Sequence, residues 1–289
     1  MAAGVDLDIL ACRLSLCARR FLRFPTPASN RFRGALGFQL PEELFRPSAT
    51  QGPSGLRDRP RPFTLRCHHL DGAAFEPGAR FFLDLHLFTR DPAPFQNAFE
   101  RLEWLEVIEW NTASHRLSLI PEDDKQHLSF SGFPSGSDKR QVLFITPTEL
   151  KPHAGPEPPP FAILLARACE RISALRSFYG AGPLDFDFRE LVREAAAVRC
   201  TGGALSWHQA ERRSGRSGQV HPLGGFTGFA EYEGALRPFL PWLEAATWTG
   251  IGRQTVWGKG VMELSCPAGP ALSTEPHPLG PSGSGPDPR

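Results

Sequence analysis

One glycine-rich loop near the C-terminal end restricts the possible folds most strongly. Residues 250–260 read GIGRQTVWGKG, with four glycines and two cations in eleven residues. Such a density of glycine is typical of a backbone that turns sharply or closely approaches another group. The preceding residues, 236–247, predict a helix, and the following VMELS predicts a strand. Because no helix begins after the loop, no helix N-terminus lies there to bind a phosphate.

The spacing within this loop excludes two nucleotide-binding motifs. A phosphate-binding P-loop requires four residues between its glycines, but five separate Gly252 from Gly258. In a dinucleotide fingerprint a third glycine would stand where this chain has Thr255. A nucleotide-dependent enzyme is therefore disfavoured. The loop is either a tight turn or an anion-binding loop that uses its own amides with Arg253 and Lys259.

The composition indicates a globular protein without a metal knuckle or a membrane segment. With 289 residues and 40% hydrophobic residues, the chain is long and apolar enough for one large domain or two small ones. The net charge of +1 indicates no particular partner, and none of the six cysteines forms a C-x-x-C pair. Charged residues interrupt the N-terminal apolar residues, and no apolar run approaches a membrane span. We therefore expect a cytoplasmic protein with reduced thiols.

Two proline-rich segments predict the domain organisation. Residues 148–160 are expected to be a linker and residues 266–289 a disordered tail. They leave an N-terminal module, 8–147, and a C-terminal module, 161–265. The first module is predicted to hold an opening strand, helices at RFRGALGFQL and 95–108, and several further strands, the last of them QVLFIT. The second is predicted to hold helices at 161–180, 188–198 and 236–247 with intervening strands. This order predicts an α+β fold of two tandem ferredoxin-like (RRM-like) modules.

The C-terminal motifs resemble those of one family. The stretch LGGFTGFAEYEGALRPFLPWL (223–243), followed by the glycine loop, resembles the C-terminal domain of the CRISPR repeat-RNA processing endoribonucleases of the RAMP superfamily. That family typically shows L-G-G-x-x-G, F-L-P-x-L and a closing G-[KR]-x-[ST]-x-[aromatic]-G-x-G loop. RFRGALGFQL and ERRSGRS resemble further stretches of the family, in the same order along the chain. Lys259 departs from the pattern, because an apolar residue is usual there.

The resemblance implies a function and a set of RNA-contacting residues. The two modules would face each other across a cleft that binds CRISPR repeat RNA, and the protein could also bind other CRISPR-associated proteins. Precursor RNA would be cleaved without a metal or other cofactor, by attack of a ribose 2′-OH on the adjacent phosphate. Trp257 would either stack on a base or belong to the core. The expected RNA-binding residues are Arg31, Arg33, Arg212, Arg213, Ser214, Arg216, Gly250, Gly252, Arg253, Gly258, Lys259 and Gly260.

The catalytic residue is less well defined, because such cleavage needs a general base and a general acid. In the family a histidine near the first helix often serves, but the first histidine of this chain is His68. The remaining candidates are His208, His68 and His69, each of which could instead be a structural residue at a strand or strand end. A zinc site at Cys67 lacks a spaced second pair of ligands. A family member that binds repeat RNA or joins an effector complex without cutting stays the alternative.

Overall fold

The computed structural model describes residues 6–47, 59–119, 139–153, 155, 157–184, 187–209, 211–213, 220–222 and 224–266. Within these ranges no helix is long and apolar enough to cross a membrane. Apart from Cys266, the tail predicted at 266–289 lies outside the described residues.

The N-terminal half forms one antiparallel sheet with two helices packed on one face. The sheet order is β3-β5-β1-β6, which is the strand order of a ferredoxin-like unit. In β1, Cys12, Leu14 and Leu16 alternate toward the helices and are buried. The elements are β1 (Asp6–Ala18), β2 (Leu22–Arg23), α1 (Ser29–Gln39), α2 (Glu42–Phe45), β3 (Phe63–Arg66), β4 (Ala74–Phe75), β5 (Arg80–Leu87), α3 (Ala93–Glu100) and β6 (Leu105–Ser118).

The C-terminal half repeats the same arrangement, with the order β12-β7-β11-β8. The Asp187 side chain caps α5 by accepting hydrogen bonds from two backbone amides. The α+β fold of two tandem ferredoxin-like modules is thus confirmed. The elements are β7 (Lys139–Thr148), α4 (Phe161–Tyr179), α5 (Phe188–Ala195), β8 (Arg199–His208), β9 (Glu211–Arg213), β10 (Val220–Pro222), β11 (Gly225–Glu233), α6 (Leu240–Thr249) and β12 (Met262–Ser265).

Two assignments made from local patterns were wrong. The strand QVLFIT, predicted in the N-terminal module, is β7 and pairs with β11 and β12 of the second sheet. The proline-rich segment 148–160 therefore connects β7 to α4 within the second module. The helix predicted at 95–108 ends at Glu100, and Leu105 already begins β6. Trp104, between them, is buried among the aromatic rings Phe24 and Phe32, which holds the chain in a turn there.

The two modules share their hydrophobic cores. Leu7 and Ile9 of β1 pack in the core of the second module. In the other direction, Val256 and Trp257 of the glycine loop pack in the core of the first. At the same boundary, the His86 Nδ1–H donates to the carbonyl of Trp248 at 2.9 Å. These reciprocal contacts fix the modules relative to each other and place the glycine loop between them.

The buried His86 is expected to make stability pH-dependent. Burial, the nearby Arg66 and His115 together lower the His86 pKa to about 4, although the hydrogen bond to the Trp248 carbonyl and the Asp84 carboxylate oppose the shift. The folded protein therefore keeps His86 neutral, and its contribution is complete above the unfolded pKa of about 6.5. It is lost as the pH falls toward 4, by up to about 3 kcal/mol. Urea unfolding between pH 4 and 8 would measure this loss. The variant His86→Gln should show a shallower dependence, and an unchanged dependence would contradict the assignment.

Candidate functional site

A cavity of about 300 Å³ lies between the two modules, and we refer to it as the intermodule cavity. It brings together side chains that are far apart in the sequence. The residues that matter for its chemistry are Ser29, His68 and Asp71 from the first module, Thr146 and His208 from the second, and Trp257, Gly258 and Lys259 from the glycine loop. Two of the three predicted catalytic histidines, His68 and His208, thus line one site.

His68 reaches the cavity from a single helical turn that follows β3. The turn, His68–Leu70, is closed by the Leu70 N–H donating to the carbonyl of Cys67 at 3.0 Å, and Leu70 is buried beneath it. The His68 ring is solvent-accessible, but the surrounding cavity walls limit its hydration. This desolvation, together with the neighbouring His69 and Arg66, holds the His68 pKa below its ordinary value. His68 is therefore mainly neutral at pH 7 and able to accept a proton.

His208 enters from the opposite module. It is the last residue of β8, and the β8–β11 register places it opposite Gly225. Its Nε2 forms a 2.6 Å hydrogen bond with the hydroxyl of Thr227. This bond fixes the orientation of an otherwise exposed ring at the mouth of the cavity.

Two polar residues of the cavity wall were missed in the sequence. The Asp71 carboxylate accepts a 2.7 Å hydrogen bond from the Ala28 N–H at the start of α1. Desolvation raises the Asp71 pKa, although the bond from Ala28 opposes the shift. The Ser29 hydroxyl donates to the carbonyl of Trp257 and ties α1 to the glycine loop. Asp71 precedes a glycine in what reads as a simple turn, so nothing local indicated its position beside a helix terminus.

The glycine loop is a compact turn whose amides are largely engaged within the protein. Gly250, Gly252, Gly258 and Gly260 all have positive φ, between +70° and +77°. The amide of Gly250 donates to Ala246, that of Gly258 to Thr255 and that of Gly260 to Pro147. These three amides are therefore not free to bind phosphate, which favours the tight-turn alternative for the loop backbone. At Gly252 the Glu149 carbonyl lies so close to the backbone that any side chain would overlap it, so this position requires glycine.

The two cations of the loop are also held by the protein. Arg253 forms an ion pair with Glu149 at 2.8 Å, and about half of the Arg253 side chain is exposed. Lys259 is buried, and its ammonium donates to the Gly224 carbonyl at 2.7 Å and the Gln254 side chain at 2.9 Å. Its pKa is lowered by burial, which the Glu149 carboxylate opposes. The Lys259 amine is thus engaged by protein groups, whereas Arg253 keeps a solvent-facing surface.

The arginines of α1 stack on tryptophans rather than extend into solvent. The Arg33 guanidinium lies 3.6 Å from the centre of the Trp257 ring, and that of Arg31 lies 4.6 Å from the Trp104 ring. Trp257 is 8% exposed and belongs to the core of the first module, so the core alternative holds for it. The start of α1, beside Arg31 and Arg33, already has a negative group in the Asp71 carboxylate, which accepts from the Ala28 N–H.

The remaining predicted residues separate into two groups. Arg212 and Arg213 lie on the hairpin strand β9, of which the backbone alone is described, and Ser214 and Arg216 lie outside the described residues. His69 does not line the cavity but stacks on Phe82 at 4.2 Å. Among the residues that the structure describes, no group of three or more His, Cys, Asp or Glu side chains is placed to hold a metal ion.

These features define a protein of tandem ferredoxin-like modules with a histidine-lined cavity at their junction. Residues 142–262 match the family model described as "CRISPR-associated endoribonuclease Cas6". The match begins in β7 and ends in β12, so it covers the second sheet and the glycine loop. It confirms the resemblance to the CRISPR repeat-RNA processing family. Among curated protein sequences, none is significantly similar to this chain.

Solved structures with the same fold extend over both modules. A "Cas6 (TTHB231) product complex", of the Thermus thermophilus protein, has a TM-score of 0.53 and 18% identity, with 89% of this chain and 100% of that chain covered. A "Cas6 (TTHA0078) substrate mimic complex" has a TM-score of 0.50 and 20% identity, covering 90% and 100%. A "Partial Cas6-RT-Cas1--Cas2 complex" has a TM-score of 0.57 and 12% identity, covering 90% and 46%. The likeness establishes the shared fold over almost the whole chain.

Proposed function

We propose that this protein binds CRISPR repeat RNA and cleaves precursor CRISPR RNA without a metal ion. The observation that carries the proposal is the meeting of His68 and His208, one from each module, in the intermodule cavity. The family match over 142–262 supplies the substrate class. The proposal places the protein in the cytoplasm, with repeat RNA and other CRISPR-associated proteins as its partners.

The chemistry needs one group to remove a proton and another to supply one. His68, whose pKa is below its ordinary value, accepts the proton of the ribose 2′-OH as the oxygen attacks the adjacent phosphorus. The bond from phosphorus to the 5′-oxygen then breaks, and His208 in its protonated form donates a proton to that oxygen. The products are a 2′,3′-cyclic phosphate and a 5′-hydroxyl.

A second function, binding of repeat RNA without cleavage, is favoured by one observation. The start of α1, near which the family often has its catalytic histidine, carries Ser29 at the cavity wall. The Ser29 hydroxyl donates its hydrogen bond to the Trp257 carbonyl. If neither His68 nor His208 acts on RNA, the cavity would hold a phosphate without activating the ribose.

Incubation of the purified protein with the repeat RNA of its own genome, in excess EDTA, separates the two functions. We expect a single cut per repeat, with a cyclic phosphate on the 5′ fragment and a hydroxyl on the 3′ fragment. Phosphatase treatment that fails to dephosphorylate the 5′ fragment before acid opening identifies the cyclic end. Tight binding with intact RNA would instead establish the non-cutting function. Cleavage that stops in EDTA and returns with Mg²⁺ would contradict the proposed chemistry.

A further inference from the structure

The open half of the first sheet carries a stack of flat side chains outside the intermodule cavity. The face of this sheet opposite α1 and α3 is covered at one end by the second module, where His86 meets Trp248. Two residues further along the strands, the register aligns Arg66, Asp84 and Arg13 in one row across β3, β5 and β1. The row after that holds Phe82, which is 40% exposed.

Phe82 contacts two planar groups. The His69 ring lies 4.2 Å from the Phe82 ring and within 18° of parallel, and the His69 Nε2 contacts the Phe82 carbonyl at 3.0 Å. The Arg13 guanidinium lies 4.7 Å from the same ring centre. The His69 ring and the Arg13 guanidinium are exposed and flat, as in the side chains on which nucleobases stack.

The charge of the row suits a polyanion. Asp84 holds the Arg13 guanidinium through two hydrogen bonds of 2.7 and 2.8 Å, which keeps its plane fixed over Phe82. Arg66, on the other side of Asp84, has two buried guanidinium nitrogens, Nε and Nη2, that lack a hydrogen-bond partner among the described residues. Unsatisfied donors of a buried cation are costly, and a phosphate oxygen would satisfy them. The row itself carries two arginines and one carboxylate, and the Glu263 carboxylate of β12 acts on Arg66 from outside the row.

The same surface leads into the intermodule cavity. His68 and His69 are adjacent residues of one turn, with ring centres 6.0 Å apart. His68 lines the cavity, whereas His69 covers Phe82. Arg66 is close enough to His68 to lower its pKa. The His68–His69 turn therefore joins the stack to the edge of the cavity.

We propose that Arg13, Arg66, His69 and Phe82 form a stacking platform for single-stranded RNA beside the cavity. The His69 ring and the Arg13 guanidinium stack on bases, and Arg66 binds a backbone phosphate. The platform rests on the proposed function for the identity of the RNA, but stacking of this kind is tolerant of sequence. It therefore predicts binding of unstructured RNA as well as repeat RNA.

Fluorescence anisotropy with a labelled repeat RNA and an unstructured RNA of equal length tests the platform. Phe82→Ala should weaken binding of both RNAs roughly 10-fold, from the loss of one stacked base. The matched control is Phe38→Ala, which removes the same ring from a side chain that is 84% exposed on α1, and it should bind like the wild type. Arg66→Gln should lower the slope of affinity against salt by about one phosphate contact. Its thermal stability should be no lower than that of the wild type, because the two buried nitrogens make no hydrogen bond to lose and their desolvation is costly.

The outcomes distinguish the platform from the proposed function. Wild-type protein that cleaves the repeat, with Phe82→Ala and Arg66→Gln binding both RNAs normally, would overturn the platform and leave the function intact. Uncut RNA that still binds less tightly to both variants would support the platform and refute cleavage. Wild-type protein that binds neither RNA would overturn both, and an apolar protein partner would then be the alternative occupant of this face.

Discussion

Replacing His208 or His68 with alanine is expected to reduce the single-turnover rate of repeat cleavage by at least about 100-fold. Each histidine is the one described imidazole that its module contributes to the lining of the intermodule cavity. Because both act in one proton-transfer step, the double variant should be about as slow as the slower single variant. RNA affinity should change little, since neither ring is needed to hold the backbone phosphates.

The pH dependence of cleavage provides an independent check on the role of His68. A general base must be neutral, and the His68 pKa lies below its ordinary value of 6.5. The rising limb of the rate profile should therefore have its midpoint below pH 6.5, and His68→Ala should remove that limb. A suitable control is His153→Ala, because His153 lies outside the cavity lining and bonds to the Glu157 carbonyl. Cleavage at the wild-type rate by either cavity variant would exclude that histidine from the reaction.

Local sequence patterns predicted the individual helices and strands better than they predicted which strands pair with each other. The opening strand β1 and the helix α4 depend on patterns among neighbouring residues, so both were predicted, and the bounds predicted for α4, 161–180, are nearly correct. The assignment of β7 to the first module failed because strand pairing depends on residues about 85 positions away, such as Phe229 opposite Leu143. A proline-rich segment after β7 resembled a domain linker, although Leu150 within it is fully buried.

Residues of the candidate site could be predicted from the sequence only where they belong to a motif or are of a chemically reactive type. Motif spacing placed the glycine loop at the site, and histidine chemistry drew attention to His68 and His208. Asp71 and Ser29 carried no such signal, because their roles arise from the approach of a turn and a helix start. The loop glycines were interpreted as phosphate contacts, but their positive φ and internal hydrogen bonds show that the turn itself requires them.

The largest effect on stability is expected from Gly260→Ala. Gly260 has φ of +72°, a conformation that costs a non-glycine residue roughly 1–3 kcal/mol. The added Cβ would also overlap the Ile251 carbonyl oxygen and lie 3.0 Å from two further backbone atoms of Ile251. Backbone atoms cannot rotate away, and the Ile251 N–H already donates to the Gly260 carbonyl at 2.9 Å. We expect a loss of about 3 kcal/mol or more in the free energy of unfolding.

Gly34→Ala is the matched control for this substitution. Gly34 lies within α1, and no atom is within 4 Å of the position of its added Cβ. Alanine favours a helix over glycine by about 1 kcal/mol, so this variant should be as stable as the wild type or more so. Guanidinium unfolding followed by tryptophan fluorescence and circular dichroism gives both values, with RNA affinity measured on the folded fraction. If Gly260→Ala had wild-type stability and weakened RNA binding, the result would contradict the structural role and support Gly260 as a phosphate contact. A lower unfolding midpoint with normal affinity per folded molecule would establish that the glycine loop acts by shaping the intermodule cavity.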